Sequence, residues 1–534
     1  MTAAPTARWS SISALIDAAA ERFGSRPALV DDETRLTYEE LVEQARRFGA
    51  ALVVSGVEPG DRVAIWAFNS AEWVVAALGL FKAGAVLVPI NTRFKGGEAA
   101  DILVRSRAKV LVTVTDFLGT DYVAMLRDTG VELADLTTIV VARGAAVAGT
   151  DSWDEFLAGG TDAAATEVDR RSAAIGPEDP SDILFTSGTT GFPKGVVQTH
   201  GRTLCVAADW VVMTGLNAED RYLMVNPYFH MFGLKAGILA AVCAGATMLP
   251  QAVFDPEVVL SVVAGEGITV LPGPPTLYQG ILDHPRRDHY DLSTLRVAVT
   301  GAADIPVELI RRLDSELPFS LIVTGYGLTE TGTAAATLPD DDVETIATTV
   351  GRARPGFELR IVDGQGSEVA PGVAGEILLR GESIMSHYLD DPVATAEALS
   401  SDGWLRTGDL GIVDPSGYLR IVGRSKDMFI VGGFNAYPAE IENALLRHPD
   451  IRQAAVIGIL DERLGEVGMA FVVLKPGAVR TQADIIGWSR DHMANFKVPR
   501  VVEFVEVLPL TATGKVLKDV LRDRVAQHQF GGPA

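Results

Sequence analysis

Short apolar runs that end close to a glycine-rich turn recur along the sequence. Ile268–Leu271 precedes Gly-Pro-Pro, Leu295–Thr300 precedes Gly-Ala-Ala, and Leu321–Thr324 precedes Gly-Tyr-Gly. Short apolar strands that alternate with helices are typical of parallel sheets whose faces are covered by helices. The sequence therefore predicts an α/β fold. Ligands of such sheets gather beyond the carboxyl ends of the strands, so we expect the functional residues in these turns.

In the N-terminal part of the chain, signals for helices alternate with signals for strands. Thr37, followed three residues later by glutamate, is a capping box that predicts a helix start, and Ser70 predicts the cap of the next helix. Arg62–Ala67 alternates like a strand, and Val86–Pro89 predicts another apolar strand. The stretch 144–172 is rich in Ala, Gly, Thr and Asp and is predicted to be a surface loop.

The sequence from residue 427 onward has the pattern of a small α+β unit. Pro438 suits the first position of a helix that runs to Leu446, and Thr481–Met493 has the pattern of an amphipathic helix. Ala455–Ile459 and Met469–Leu474 are predicted strands.

The composition excludes several kinds of partner. The 46 Lys and Arg residues against 69 Asp and Glu give a net charge of −23, which opposes binding to nucleic acid or anionic membrane. The sequence has no long uncharged apolar stretch and no signal-like N-terminal pattern, so we expect no stable membrane insertion and a cytoplasmic protein. Cys205 and Cys243 lie in apolar runs, and both are expected to be buried. The sequence leaves open whether two chains form a homodimer.

The most informative segment is the run Ile-Leu-Phe-Thr-Ser-Gly-Thr-Thr-Gly-Phe-Pro-Lys-Gly at 183–195. An apolar strand leads into glycines that let backbone N–H groups face a ligand, hydroxyls that can donate to phosphate oxygens, and a lysine. It differs from a P-loop because Lys194 follows Pro193 and precedes Gly195, where a P-loop has glycine before its lysine and a hydroxyl after it. The pattern predicts a polyphosphate clamp, with a flexible surface loop as the alternative.

This segment and five others resemble the acyl-adenylate-forming superfamily, which contains acyl-CoA synthetases, adenylation domains and luciferases. The matching segments, in the order of that superfamily, are TSGTTGFPKG at 186–195, YGLTE at 326–330, GEILLRG at 375–381, TGD at 407–409, GRSKD at 423–427 and PLTATGK at 509–515. Within the superfamily the chain resembles the bacterial fatty-acyl-CoA synthetase branch, because of GGFNAYPAEIE at 432–442 and FHMFG at 229–233.

The resemblance implies an AMP-forming acid–CoA ligase that takes a small-molecule carboxylic acid, ATP and CoA, with Mg²⁺ arriving with ATP. It also implies a large N-terminal domain over residues 1–425, with parallel-rich sheets and flanking helices, and a small mobile α+β domain over 426–534. In a first half-reaction the acid and ATP give an acyl-adenylate and pyrophosphate. In the second, CoA displaces AMP.

The resemblance also assigns roles to nucleotide-binding residues. Tyr326 would stack on adenine, Thr329 would contact the α-phosphate, Glu330 would bind Mg²⁺, and Asp409 would accept the ribose hydroxyls. Taken alone, Glu330 could instead be an acid in the first turn of a helix, and Asp409 a turn residue. The phosphates would be held by Thr186, Ser187, Gly188, Thr189, Thr190, Gly191 and Lys194, and the ribose or phosphate also by Arg424.

Lys515 is the residue that the resemblance places at the centre of adenylation, where it would bridge the attacking carboxylate and the α-phosphate. An exposed lysine at a helix start is the local alternative. Lys426 matches the hinge between the domains, and Gly432 and Gly433 would flank the channel for CoA. The residues with implied catalytic roles are Lys515, Glu330, Thr186 and His230.

His230 would lie beside the substrate carboxylate, with a buried core histidine as the alternative. Lys235 is less expected on an apolar helix: snorkelling is favoured, and contact with a polar group of the substrate is the alternative. The other predicted pocket walls are Trp210, Gly301, Ala302, Ala303 and Gly325.

The subgroup that the chain most resembles comprises actinobacterial synthetases for propanoates left by steroid-ring breakdown, and a fatty acid is the other candidate substrate. A stand-alone adenylating enzyme that loads a carrier-protein thiol is an alternative function. An ATP-binding sensor without turnover is a third, which the joint presence of Glu330, Asp409 and Lys515 disfavours.

Overall fold

The computed structural model describes residues 9–186, 193–301, 305–424, 427–431, 434–461, 463–493, 495–511 and 514–530. The strands are β1 (Pro27–Asp31), β2 (Thr34–Thr37), β3 (Arg62–Trp66), β4 (Val86–Pro89), β5 (Ala108–Val114), β6 (Thr138–Arg143), β7 (Asp151–Ser152), β8 (Pro180–Thr186), β9 (Lys194–Thr199), β10 (Arg221–Met224), β11 (Thr247–Pro250), β12 (Val270–Gly273), β13 (Val297–Thr300), β14 (Leu321–Leu328), β15 (Gly332–Ala336), β16 (Arg352–Ala353), β17 (Phe357–Val362), β18 (Gly375–Gly381), β19 (His387–Tyr388), β20 (Leu405–Val413), β21 (Leu419–Arg424), β22 (Phe429–Val431), β23 (Phe434–Ala436), β24 (Ile451–Asp461), β25 (Gly465–Leu474) and β26 (Val501–Phe504).

The α-helices are α1 (Ile12–Phe23), α2 (Tyr38–Val54), α3 (Ala71–Lys82), α4 (Gly96–Ser106), α5 (Tyr122–Arg127), α6 (Trp153–Ala158), α7 (Asp162–Ala174), α8 (His200–Thr214), α9 (Met231–Gly233), α10 (Ala240–Ala244), α11 (Pro256–Glu266), α12 (Pro275–Leu282), α13 (Val307–Glu316), α14 (Val343–Thr348), α15 (Pro392–Ala398), α16 (Pro438–Leu445), α17 (Gln482–His492) and α18 (Lys518–Phe530). A π-helical turn, Leu234–Leu239, joins α9 to α10, and a 3-10 turn spans Arg287–His289.

Two large sheets form the N-terminal part. The first has the order β19-β9-β8-β4-β3-β5-β6-β7, parallel from β8 to β7 and antiparallel at the β9 and β19 edge. The second has the order β16-β15-β14-β13-β12-β10-β11-β1-β2, parallel from β14 to β1 and antiparallel at both edges. The predicted α/β fold with parallel-rich sheets is confirmed.

Helices α2 and α3 pack against each other between these sheets, and both begin where the sequence predicts. Thr37 and Glu40 form a capping box at the start of α2, and the Ser70 hydroxyl caps α3. A Cβ atom at Gly79 of α3 would lie 2.5 Å from the Ala45 carbonyl of α2, so only glycine allows this close approach. Helix α3 is buried along nearly its whole length because protein surrounds it on all sides.

Two smaller sheets complete the chain. Strands β17, β18, β20 and β21 form an antiparallel sheet that carries the predicted TGD segment. The C-terminal sheet has the order β23-β22-β25-β24, with β26 parallel to β25 and helices α16 to α18 beside it. This agrees with the predicted α+β unit. The proposed boundary between residues 425 and 426 falls on residues outside the described part of the chain.

Three expectations from the sequence need correction. The stretch 144–172 contains β7, α6 and most of α7 rather than a surface loop, because Ser152 and Thr161 cap two helices that the weak periodicity hides. The strands predicted at Ile268–Leu271 and Leu295–Thr300 are β12 and β13, and each begins two residues later. Cys243 is buried as expected, whereas Cys205 is partly exposed. Among the described residues, no helix has both the length and the apolar character needed to cross a bilayer.

Candidate active site

A hairpin between β8 and β9 carries the predicted phosphate loop. Thr186 pairs with Lys194 in an antiparallel register, so these two residues close the loop at its base. The Thr186 hydroxyl donates to the Lys194 carbonyl at 3.4 Å, and Arg105 donates to the Pro193 carbonyl at 2.7 Å. The loop residues themselves lie outside the described part of the chain: Ser187, Gly188, Thr189, Thr190 and Gly191.

Glu330 lies in the turn between β14 and β15, next to this hairpin. Its position in a turn between strands excludes the alternative of a helical first-turn acid. The Tyr388 hydroxyl donates to Glu330 Oε1 at 2.9 Å, and the Lys194 ammonium lies 4.9 Å from the centroid of the Tyr388 ring. Burial, and then the Glu330 carboxylate, raise the pKa of Tyr388, which keeps its hydroxyl protonated as a donor. Thr329 is half-buried in the same turn.

The structure joins two predicted nucleotide ligands from different sheets. The Tyr326 hydroxyl, from β14, donates to Asp409 Oδ2, from β20, at 2.7 Å. Asp409 is only 5% exposed, and its backbone N–H donates to the Thr407 hydroxyl at 3.1 Å. Arg424 pairs with Asp409 through the β20–β21 ladder, and its side chain lies outside the described part.

His230 is half-buried at the N-cap of α9. Its Nδ1 accepts a hydrogen bond from the Phe232 backbone N–H at 3.2 Å. Burial lowers the pKa of His230 to about 4, so the ring is neutral near pH 7. A neutral ring whose Nδ1 is an acceptor carries its proton on Nε2, and that nitrogen is therefore a hydrogen-bond donor.

The segment that leads to His230 is held by Asn69, a residue that the sequence analysis did not single out. Asn69 Nδ2 donates to the Met224 and Asn226 carbonyls at 2.9 and 3.0 Å, and its Oδ1 accepts from the Tyr228 backbone N–H at 2.9 Å. Asn69 follows β3, so the two large sheets meet at this point. No local pattern marks such a role, because it depends on residues more than 150 positions away.

The predicted pocket walls lie on neighbouring elements. Gly301 and Gly325 follow the paired residues Thr300 and Thr324 of β13 and β14, and a Cβ atom at Gly301 would lie 3.1 Å from the Gly325 carbonyl. Trp210 of α8 packs edge-on against the Phe232 ring, with centroids 5.1 Å apart. Ala302 and Ala303 lie outside the described residues.

Lys235 does not snorkel, so the favoured expectation is wrong. The side chain is 1% exposed, in the π-helical turn Leu234–Leu239, and its ammonium lies 2.9 Å from Oδ1 of the fully buried Asp182 in β8. The other Asp182 oxygen accepts from the Ser181 and Thr203 hydroxyls at 2.6 and 2.7 Å. This protein partner removes the reason for placing the Lys235 charge against a substrate.

Lys515 lies on a tight turn whose backbone is closed by Thr511. The Thr511 N–H donates to the Lys515 carbonyl at 2.7 Å, and the Lys515 N–H donates to the Thr511 hydroxyl at 3.0 Å. Gly514 has φ +82° and lies close to Thr276 of α12, because a Cβ atom there would be 3.3 Å from that hydroxyl. Arg93 Nη1 donates to the Thr511 carbonyl at 3.1 Å, so the large N-terminal part contacts the lysine turn directly. Lys426, Gly432 and Gly433 lie outside the described residues.

Comparisons with known proteins cover nearly the whole chain. A family model described as AMP-binding enzyme matches residues 16–389, and one described as AMP-binding enzyme C-terminal domain matches 440–515. A 3-[(3aS,4S,7aS)-7a-methyl-1,5-dioxo-octahydro-1H-inden-4-yl]propanoyl:CoA ligase of Rhodococcus jostii is 49% identical over 98% of this chain and 99% of its own. The ligase of the same name from Mycobacterium tuberculosis is 49% identical over 96% of this chain and 98% of its own. The crystal structure of the anthranilate CoA ligase AuaEII with anthranoyl-AMP superposes with a TM-score of 0.90 at 29% identity, over 98% of each chain.

Proposed function

Because the chain belongs to the AMP-binding enzyme family and is an AMP-forming acyl-CoA ligase, we propose that its acid is a bulky bicyclic propanoate left by steroid-ring breakdown. The observation that carries this proposal is the 49% identity, along nearly the full length, to two ligases named for one methyl-dioxo-octahydroindenyl propanoate. Both relatives match this chain along almost its whole length, so the likeness covers the segments that carry the predicted acyl pocket.

The reaction makes an unreactive carboxylate into an acylating agent. A carboxylate oxygen attacks the α-phosphorus of ATP, the bond from that phosphorus to the bridging oxygen breaks, and pyrophosphate leaves. The CoA thiol then loses its proton, its sulfur attacks the acyl carbon, the bond from that carbon to the phosphate oxygen breaks, and AMP leaves. Positioning and stabilisation of developing charge supply most of the catalysis in steps of this kind.

The nucleotide would bind along the edge formed by the hairpin, the Glu330 turn and Asp409. The base of the hairpin, Thr186 and Lys194, would hold the β- and γ-phosphates with the loop between them. Asp409 would accept the ribose hydroxyls, because a carboxylate has about four acceptor sites. Its bond to the Tyr326 hydroxyl restricts its orientation and keeps it next to the ring that would stack on adenine.

Glu330 fits a magnesium ion that arrives with ATP. Mg²⁺ is usually bound in such sites by one or two carboxylates together with substrate phosphates. Glu330 is a half-buried hard-oxygen donor beside the hairpin, and across the described ranges no group of three or more His, Cys, Asp or Glu residues could hold a metal by itself. When bound, the ion would neutralise charge on the phosphates, and Glu330 would hold its position.

His230 and Lys515 would act on the acid from two sides. The Nε2–H of the neutral His230 ring would donate to a carboxylate oxygen of the substrate, which orients the other oxygen toward the nucleotide. The Lys515 ammonium would stabilise the charge that builds up as that oxygen attacks the α-phosphorus. The docked lysine turn, held by Arg93, supports adenylation as the step for which this arrangement is suited.

A second orientation of the small domain would serve thioester formation. Lys515 and the CoA thiol both have to approach the same carbonyl, so they need to exchange places between the half-reactions. The hinge at Lys426 would allow that exchange, and Gly432 and Gly433 would flank the thiol channel. These three assignments rest on the family motifs alone.

The substrate proposal is tested by CoA-dependent AMP release with a panel of acids. The panel contains the methyl-dioxo-octahydroindenyl propanoate, propanoate, cyclohexanepropanoate, anthranilate and palmitate. We expect kcat/KM for the bicyclic acid to exceed that for each other acid by at least about 100-fold, since a shaped apolar pocket with matched polar groups discriminates at this level. A preference for palmitate or anthranilate would refute the proposal. Transfer to a carrier protein but not to free CoA would refute its CoA-ligase premise.

A further inference from the structure

Tyr388 contacts two charged residues on which the proposed nucleotide site depends. It belongs to the short edge strand β19, where it pairs with Val196 two residues after Lys194. Its backbone N–H donates to the Thr395 hydroxyl at 3.0 Å, and the following Leu389 N–H donates to the Gly195 carbonyl at 2.7 Å. Tyr388 is 8% exposed. The ring is therefore fixed to the strand that leaves the phosphate loop.

The two ends of the side chain make different contacts. The hydroxyl donates to Glu330 Oε1 at 2.9 Å, which restricts rotation of the carboxylate. The face of the ring lies 4.9 Å from the Lys194 ammonium, within the range of a cation–π interaction. Tyr388 thus contacts both the Glu330 carboxylate and the Lys194 ammonium, which come from distant parts of the sequence.

The backbone around Glu330 is held by other groups. The Met385 N–H donates to the Glu330 carbonyl at 2.6 Å, and the Ser383 hydroxyl donates to the Thr331 carbonyl at 2.8 Å. Gln198 Nε2 donates to the Ser383 carbonyl at 3.3 Å. Removal of the Tyr388 hydroxyl should therefore remove one restraint on the Glu330 carboxylate without moving the turn that carries it.

We propose that Tyr388 is a positioning residue for adenylation. Its hydroxyl orients the Glu330 carboxylate toward the metal of the incoming nucleotide, and its ring seats the Lys194 ammonium beside the phosphates. This inference rests on the proposed metal-binding role of Glu330.

Two substitutions separate the two contacts. Tyr388→Phe keeps the ring, and with it the Lys194 contact, but removes the bond to Glu330. Tyr388→Leu removes both contacts. Binding is measured by titration calorimetry with Mg²⁺-saturated α,β-methylene-ATP, which cannot transfer its adenylyl group, and with metal-free AMP, which needs neither Glu330 nor Lys194.

Loss of one hydrogen bond to a charged group should weaken binding of the magnesium complex about tenfold in Tyr388→Phe. Tyr388→Leu should weaken it by about a further threefold, because it also loses the cation–π contact. Binding of AMP and the midpoint of thermal unfolding should match the wild type in Tyr388→Phe. Equal weakening of AMP and of the magnesium complex would overturn the proposal, as would unchanged binding of both.

A double-mutant cycle tests whether Tyr388 acts through Glu330. In the Glu330→Gln background, Tyr388→Phe should have little further effect on the magnesium complex, because the carboxylate that it orients is gone. Independent, additive losses would indicate a merely structural role and overturn the proposal. If Glu330→Gln alone leaves binding of the magnesium complex unchanged, the metal-binding role of Glu330 is wrong, and that failure is distinct from the failure of Tyr388.

Discussion

Replacement of Arg93 by alanine should slow adenylation and spare thioester formation. The Arg93 guanidinium donates to the Thr511 carbonyl at 3.1 Å, and Thr511 closes the turn that carries Lys515. The contact joins the two parts of the chain only while the lysine turn is docked. Its loss should therefore destabilise the docked orientation relative to the proposed second orientation.

The size of the effect follows from the exposure of the contact. A hydrogen bond typically contributes about 0.5–1.5 kcal/mol, and solvent around the exposed Arg93 side chain places this one near the lower end. A change of about 0.7 kcal/mol shifts a two-state equilibrium about threefold. Arg93→Lys, which keeps the charge and a donor, should lie between Arg93→Ala and the wild type.

The assay measures each half-reaction by itself. Rapid-quench pyrophosphate release without CoA should fall by up to about threefold in Arg93→Ala, the full factor being reached when the docked orientation is the less populated one. Conversion of preformed acyl-adenylate by CoA should be unchanged or faster. Arg47→Ala is the matched control, because Arg47 is an exposed arginine that pairs with Glu43 on α2, away from the lysine turn. An equal loss in both half-reactions, or no loss in either, would refute the reasoning.

Three further outcomes are expected. Tyr326→Phe removes the 2.7 Å bond to Asp409 and should raise KM for ATP several-fold, measured at saturating acid, with little change in unfolding temperature. Lys235→Met leaves the buried Asp182 charge without its cation and should cost about 3–5 kcal/mol in unfolding free energy, whereas adding Asp182→Asn should recover part of that loss in a chemical denaturation series. Burial lowers the pKa of His200 to about 4. Between about pH 6.5 and pH 4, His200 therefore binds a proton in the unfolded chain but stays neutral in the folded chain. Stability should therefore decline as pH falls from about 6.5 to 4, by at most about 3 kcal/mol from this residue, and His200→Asn should flatten that decline in scanning calorimetry.

The parts of the fold that the sequence predicts are those encoded locally. The capping box at Thr37 and the helix start at Pro438 depend on residues within one turn, and both appear in the structure. The stretch 144–172 shows the limit of periodicity, because short helices with few apolar residues have little of it. The Ser152 capping box, with Glu155 three residues later, was the local signal that could have revealed α6.

In the candidate site, too, the sequence predicts the residues that belong to local motifs but not those that act through distant contacts. Motifs singled out Glu330 and Asp409 as chemical groups, but they gave no information on the groups that orient them. Tyr388 and Arg93 act through contacts 58 and 418 residues away in sequence, and no local pattern marks such pairs. The buried partner of Lys235 was missed for the same reason, since a lone lysine on an apolar helix looks the same whether it reaches water or a distant carboxylate.

The ion pair between Lys235 and Asp182 has a consequence for anyone who wishes to redesign the enzyme for other acids. Lys235 belongs to the segment beside His230, whereas Asp182 lies on the strand that enters the phosphate loop. A transplanted acyl-side segment that lacks the lysine would leave the buried Asp182 carboxylate without its cation, on the strand that leads to the proposed nucleotide site. Swaps between ligases should therefore carry positions 182 and 235 together, as one exchangeable unit.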